Sequence, residues 1–234
     1  MNSSPSHQSP VASRQLHVAI IPDGNRRWAK TKGLLPWNGH ERAIENFRSV
    51  LEWCRTDGRI GTLTIWCFST ENWKRDPKEV AELMRIYETF LRHERADFMK
   101  NNTRMVHSGR LDRIPKSLAT LITDIAEETK VNDGYTFHIA LDYGGKDEIV
   151  RAIRKIASHQ VSEEQFRNFL DHPELPDIDL IIRTSGEMRT SNFFLWQSTY
   201  SEWMFLEKHF PEFSAKDMMK ALEELEKRKR RFGS

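Results

Sequence analysis

Apolar, β-branched runs alternate along this chain with stretches whose apolar positions recur every three or four residues. The runs at 17–21, 61–68, 103–107, 135–141 and 178–182, with a short one near 203–205, predict strands. The stretches at 38–57, 77–100, 115–130, 145–159, 162–170 and 214–230 predict helices. This alternation predicts an α/β fold: a central, mostly parallel six-stranded sheet with helices on both faces. Asp76 and Pro77 give the second helix a cap and a first-turn proline. Ser214 with Asp217 caps the last helix in a similar way. Within 77–100, Val80, Leu83, Met84, Tyr87, Phe90 and Leu91 share one face, and the ordinary use of such a stripe is core packing. No repeat or interior linker interrupts the pattern, so one domain is expected over 16–234. The Ser/Pro/Gln-rich residues 1–15 read as a disordered tail.

Composition narrows the function classes. With 234 residues, 38% of them apolar, the chain is long enough to bury a sizeable core. Its 36 basic residues against 34 acidic ones give no global argument for a nucleic-acid or membrane-surface protein. Cys54 and Cys67 lie in apolar periodic segments without CxxC spacing, so they read as reduced core residues. Residues 1–15 lack the apolar centre of a signal peptide, and no apolar run approaches the roughly 18 residues of a membrane span. A soluble cytoplasmic protein is expected. A lipid product would have to be held inside it or handed to a membrane.

The chemistry concentrates at predicted strand ends. Residues 17–30 read HVAIIPDGNRRWAK, a strand running into a Gly-containing loop. Backbone N–H groups there can cradle an anion, and Arg26 and Arg27 add forked donors suited to phosphate. Asp23 is the candidate to hold a divalent metal bridging to phosphate oxygens. Alone, the pattern also fits a tight turn before a solvated helix. Residues 181–191 bring Arg183 and Arg189, six apart, together with hydroxyls around Gly186. That composition suits a diphosphate, though also a surface loop with scattered arginines. Residues 68–75, FSTENWKR, follow a strand, where ligands bind in open α/β sheets. Ser69, Asn72 and Arg75 offer polar anchors, and Trp73 offers a face to shield hydrocarbon. Glu202 sits on a short apolar strand and could join Asp23 as a hard oxygen ligand, or be an ordinary surface carboxylate.

These blocks resemble the cis-prenyltransferases, the family of undecaprenyl and dehydrodolichyl diphosphate synthases. The likeness runs from about His17 to Gly233 and takes in 17–30, 68–75 with Glu79, SGRL at 108–111 and DYGGKDE at 142–148. It continues through DLIIRTSGE at 179–187, then Arg189, Ser191 to Phe193, Leu195 to Gln197, Tyr200, Glu202, Phe205 and RRFG at 230–233. The resemblance implies a Mg²⁺-dependent enzyme that condenses isopentenyl diphosphate with an allylic prenyl diphosphate. It makes Asp23 the metal carrier, joined by Glu202 in some members. It assigns Arg183, Arg189 and Ser191 to isopentenyl diphosphate, and Asn25, Arg27, Trp28 and His40 to the allylic site. Ser69, Asn72 and Arg75 would lie between the substrates, Asn72 assisting proton loss and Glu79 pairing with a mobile loop. The implied substrate-binding set also includes Gly24, Arg26, Thr70, Glu71, Trp73 and Thr190. Arg231 and Gly233 would reach the isopentenyl diphosphate of the partner in a homodimer, although the basic tail alone reads as a solvated helix end. Helix 77–100 would line a hydrophobic tunnel, with Cys67 and Phe137 at its wall and floor, and the product would be of short to medium length.

Several positions depart from the common pattern. Pro22 stands where Met is usual, Arg26 where Gly is, and Pro36 where an Arg often contacts the allylic diphosphate. Arg26 or Lys32 is expected to supply the missing charge. Ala43 and Asp142 replace a common Gly and Asn. A non-catalytic partner subunit is the rival reading, but such subunits lose the Asp and arginines that are present here at 23, 27, 183 and 189. A nucleic-acid module lacks aromatic–basic interleaving, and peripheral membrane contact for product release is a further expectation.

Overall fold

The computed structural model describes residues 14–156 and 160–228. Its strands are β1 (Leu16–Ile21), β2 (Ile60–Ser69), β3 (Thr103–Ser108), β4 (Tyr135–Tyr143), β5 (Leu180–Thr184) and β6 (Glu202–Leu206). They form one sheet in the order β3-β4-β2-β1-β5-β6. Every neighbouring pair is parallel, so the sheet is wholly rather than mostly parallel. The helices are α1 (Asn25–Thr31), α2 (Pro36–Thr56), α3 (Pro77–Lys100), α4 (Lys116–Thr129), α5 (Gly145–Lys155), α6 (Glu163–Arg167) and α7 (Ala215–Lys227).

The caps explain most boundaries. Asp76 accepts from the N–H groups of Lys78 and Glu79 at the start of α3, and the Ser214 hydroxyl donates to Asp217 beside α7. The expected helices over 145–159 and 162–170 are shorter: α5 gives way to extended backbone at Ile156, and α6 ends at Arg167. Residues 157–159 lie outside the described residues, as do 229–234 and residues 1–13 of the expected tail. Arg14 is described and is not a free tail residue, because its guanidinium donates twice to the buried Asp179. The described helices include none long and apolar enough to cross a membrane.

Strand residues alternate between two cores, as the pleat requires. Val18, Ile20, Leu63 and Phe137 pack under α2, α3, α4 and α7, whereas Ala19, Ile21, Trp66 and Ala140 pack against Phe193 and Phe194. The second face also carries a buried polar row across β1, β2, β4 and β3. His17 Nδ1 lies 2.8 Å from the Pro176 carbonyl oxygen, so it must carry the proton that it donates there. His17 Nε2 then accepts from Thr64 Oγ1 at 2.6 Å, and Thr64 accepts from His138 Nδ1 at 2.9 Å. His138 Nε2 in turn accepts from Ser108 Oγ at 2.8 Å. The row satisfies itself with both imidazoles neutral.

Candidate active site

Connections leave β1 toward β2 on one side and leave β5 toward β6 on the other, so the β1–β5 edge is a topological switch point. Asp23 follows β1 there, and Arg183 lies on β5 in register with Ile21. Arg183 is buried; its Nη2 donates to Asp23 Oδ2 at 2.9 Å and its Nη1 donates to Ser191 Oγ at 2.8 Å and to the Arg189 carbonyl. Burial acts to raise the Asp23 pKa, but the Arg183 hydrogen bond, the Gly24 N–H and the Arg27 charge hold it below the ordinary carboxylate range. Asp23 is therefore ionised, with its side chain 31% exposed.

Two concavities meet at Asp23. One is a cavity of about 570 Å³ between the sheet and helices α2 and α3. Its interior is apolar, with Phe47, Tyr87, Phe90, Leu91 and Phe137, and its mouth carries Arg75, Arg183, Arg189, Ser191, Ser69 and Asn72. Cys67 lines it too, and burial pushes its thiol up to about 12, so it sits there as a neutral, apolar group. The other is a cleft of about 660 Å³ bordered by Gly24, Arg26, Arg27, Lys30, Pro36 and Arg75. Pro22, Asp23, Asn25, His40 and Arg75 border both.

Buried polar atoms without partners converge on this junction: Asn25 Oδ1, His40 Nε2 and Arg183 Nε. Burial, followed by the charges of Arg75 and Arg26, pushes His40 down to about 3, so it is neutral. Asn25 donates its amide to the Pro22 carbonyl and to His40 Nδ1, which places the His40 proton on the unpartnered Nε2. Unmet buried groups are costly in an apolar core and are the expected mark of a polar ligand site. Backbone geometry agrees, since Ser185, Ser191 and Asn192 hold positive φ of 78°, 52° and 71° beside it. Gly24, at φ 93°, could not carry a side chain: a Cβ would lie 2.6 Å from Ser185 Oγ.

Not every expected residue faces the ligand space. The Trp73 indole donates to Asp142 Oδ1 at 2.8 Å, packs edge-on against Phe68 and lies under the Arg113 guanidinium. It braces the 70–74 turn instead of shielding hydrocarbon. Trp28 turns outward to Glu212 at 3.2 Å. Thr70 packs by Gly144, and Thr190 is exposed. Glu71 lines the cavity and accepts from Asn192. Glu202 opens β6 in register with Leu180, at the opposite end of the sheet from Asp23. At the rise of a strand that separates them by on the order of 15 Å, so one chain does not bring the two together. Glu79 is buried and pairs with Arg75 at 3.3 Å and Arg26 at 3.6 Å. Arg231 and Gly233 lie outside the described residues. Two contributors went unassigned in the sequence: Lys30, visible within the opening motif, and Glu187, which pairs with Arg27 at 2.9 Å. Lys30 and Arg26, not Lys32, bring charge to the cleft beside Pro36.

Among the described residues no three His, Cys, Asp or Glu side chains gather as a metal cage. The donor set is one ionised carboxylate amid arginines, which fits a hard cation completed by ligand oxygens and water.

Comparison with known proteins gives the same direction. Residues 21–233 match the prenyltransferase family model described as "Putative undecaprenyl diphosphate synthase". An isoprenyl transferase of Fusobacterium nucleatum is 44% identical, over 93% of this chain and 95% of its own. A tritrans,polycis-undecaprenyl-diphosphate synthase (geranylgeranyl-diphosphate specific) of Pyrococcus horikoshii is 40% identical, over 93% and 86%. The crystal structure of lavandulyl diphosphate synthase from Lavandula x intermedia, in complex with dimethylallyl diphosphate, superposes with a TM-score of 0.89 at 35% identity, covering 93% of this chain and 98% of that one. With the family model matching residues 21–233 and these relatives alike over most of the chain, this chain belongs to the undecaprenyl diphosphate synthase family of prenyltransferases.

Proposed function

We propose that the chain condenses isopentenyl diphosphate with an allylic prenyl diphosphate to give a Z-polyprenyl diphosphate of short to medium length. The observation that carries this reading is the junction itself: an apolar cavity and a cationic cleft that share Asp23, Asn25, His40 and Arg75. The hydrocarbon tail of the allylic substrate fits the apolar interior. Its diphosphate then falls to Arg26, Arg27, Lys30 and the neutral His40 Nε2–H. Arg183, Arg189 and Ser191 take the diphosphate of isopentenyl diphosphate.

In the reaction the alkene of isopentenyl diphosphate attacks C1 of the allylic partner, and the C1–O bond breaks as diphosphate leaves. A proton then departs from the neighbouring carbon to restore a double bond. Forked donors spread the negative charge that builds on the leaving group. Asn72 is held over the cavity by the Ser69 N–H on its amide oxygen, where it hydrogen-bonds the phosphate oxygen that accepts the proton. Asp23 would hold Mg²⁺, which supplies further neutralisation of diphosphate when bound. Mouth arginines already paired with Glu79 and Glu187 keep their geometry before substrate arrives.

The partner contribution belongs to the same reading. The half-buried edge strand β6, with Trp203 and Phe205 stacked at 5.8 Å, supports a homodimer in which the carboxyl-terminal residues reach across. The test is turnover of isopentenyl diphosphate with a panel of allylic primers and Mg²⁺. Asp23→Asn keeps an acceptor for Arg183 yet removes the charge, and should lower activity by about 100-fold or more. Activity of that variant within a few-fold of the parent would refute the assignment.

A further inference from the structure

A pair of charges joins α2 to α3 directly behind residues that line the helical side of the cavity. Along α2 the lining positions run from His40 at the mouth to Phe47, and along α3 from Tyr87 to Leu91. Next along the two helices, outside the lining itself, stand Arg48 and, one turn beyond Phe90, Glu94. Arg48 Nε lies 3.0 Å from Glu94 Oε1, its N–H off line for a hydrogen bond, so the contact is ionic. The guanidinium also sits over the Phe90 ring, 5.9 Å from its centre. Glu94 is 7% exposed, while the Arg48 side chain is 36% exposed. The pair thus spans the α2–α3 seam from the apolar interior to solvent. The exposed His93 also approaches Glu94, at 3.2 Å through Nδ1.

We infer that the Arg48–Glu94 pair is a polar stop that limits how far a prenyl chain grows. This rests on the condensing activity proposed above and deepens it. Each added isoprene unit pushes the tail further past Phe47 and Phe90 toward the seam. To continue, the tail must part the two charges and leave the Glu94 carboxylate desolvated against methylene groups. An uncompensated buried charge costs more than burial of a few methylenes returns. The stop works by polarity, whereas Phe137, closing the cavity on the sheet side, works by size. A buried ion pair is weak evidence of a stabilising role, and apolar replacements of similar volume are commonly tolerated.

The double variant R48M/E94L removes both charges at similar volume. With isopentenyl diphosphate and farnesyl diphosphate as substrates, its main product by mass spectrometry should be longer than the parent's by at least one isoprene unit. E94Q alone should shift part of the distribution the same way, and it carries the test if the double variant folds poorly. Product lengths unchanged in both variants, while Phe137→Ala lengthens the product, overturn the stop and leave size as the determinant. A parent chain that makes no prenyl product overturns the condensing reading instead, so the two failures are distinguishable.

Discussion

Arg183 and Arg189 stand six residues apart in one motif but hold unlike positions. Arg183 is buried in a network with Asp23 and Ser191, whereas the Arg189 side chain is 58% exposed and pairs with Glu187 at the mouth. Arg189→Ala should raise the KM for isopentenyl diphosphate by about 10-fold or more with kcat less affected, as loss of a charge-assisted bond implies. Arg183→Ala should lower kcat as well, because it also frees Asp23. Steady-state kinetics with each substrate varied in turn checks both, and a rise in the allylic KM alone would mean that the two diphosphate sites are exchanged. The sequence made these cations and Asp23 legible, since phosphate chemistry demands forked donors at strand ends. Trp73 and Trp28 show why an indole's direction is not legible in sequence: beside a polar segment it can face ligand or brace the chain through a distant acceptor. Their acceptors, Asp142 and Glu212, are 69 and 184 residues away along the chain.

At the scale of elements, the apolar stripe on α3 serves both core and cavity: Leu83 and Met84 are core, while Tyr87, Phe90 and Leu91 line the cavity. Phe137 of β4 is fully buried and packs 5.9 Å from Phe47, 6.2 Å from Phe90 and 5.6 Å from Phe98. Phe137→Ala should lengthen the product while costing about 3–5 kcal/mol of stability, as large-to-small core changes do. Mass spectrometry and urea unfolding read the two effects separately, and an unaltered product distribution would make Phe137 ordinary core. The strands were legible within about two residues, because buried parallel strands read as continuous apolar runs. Helix α1 was legible only as the alternative of a solvated helix after a turn, since residues 25–31 have a polar start and no apolar period, and Gly24 opens them with a positive φ. The polar row of His17, Thr64 and His138 is not legible either, because each single polar residue in an apolar strand finds its partner only across the sheet.

For the whole molecule, that row makes stability depend on pH. Burial foremost pushes His17 down to about 4 and His138 well below its ordinary 6.5. Unfolded histidines take up protons near 6.5, so between about 6.5 and 4 the unfolded chain binds more protons and the fold loses stability as pH falls. Above that window the contribution is complete, and His17 alone supplies about 3 kcal/mol over the full interval. The urea midpoint should therefore drop from pH 7 to pH 5, and a constant midpoint would mean that these imidazoles are not held neutral. The order β3-β4-β2-β1-β5-β6 carries a further consequence for biosynthesis. β1 is made first, yet one of its two edges is covered only when residues 180–184 have been made. Through most of translation the aliphatic Leu16–Ile21 segment would present an open hydrogen-bonding edge, a template for wrong pairing in a growing polypeptide. Asp23 meets Arg183 in the same event, so the centre cannot form until residues 180–184 have been made.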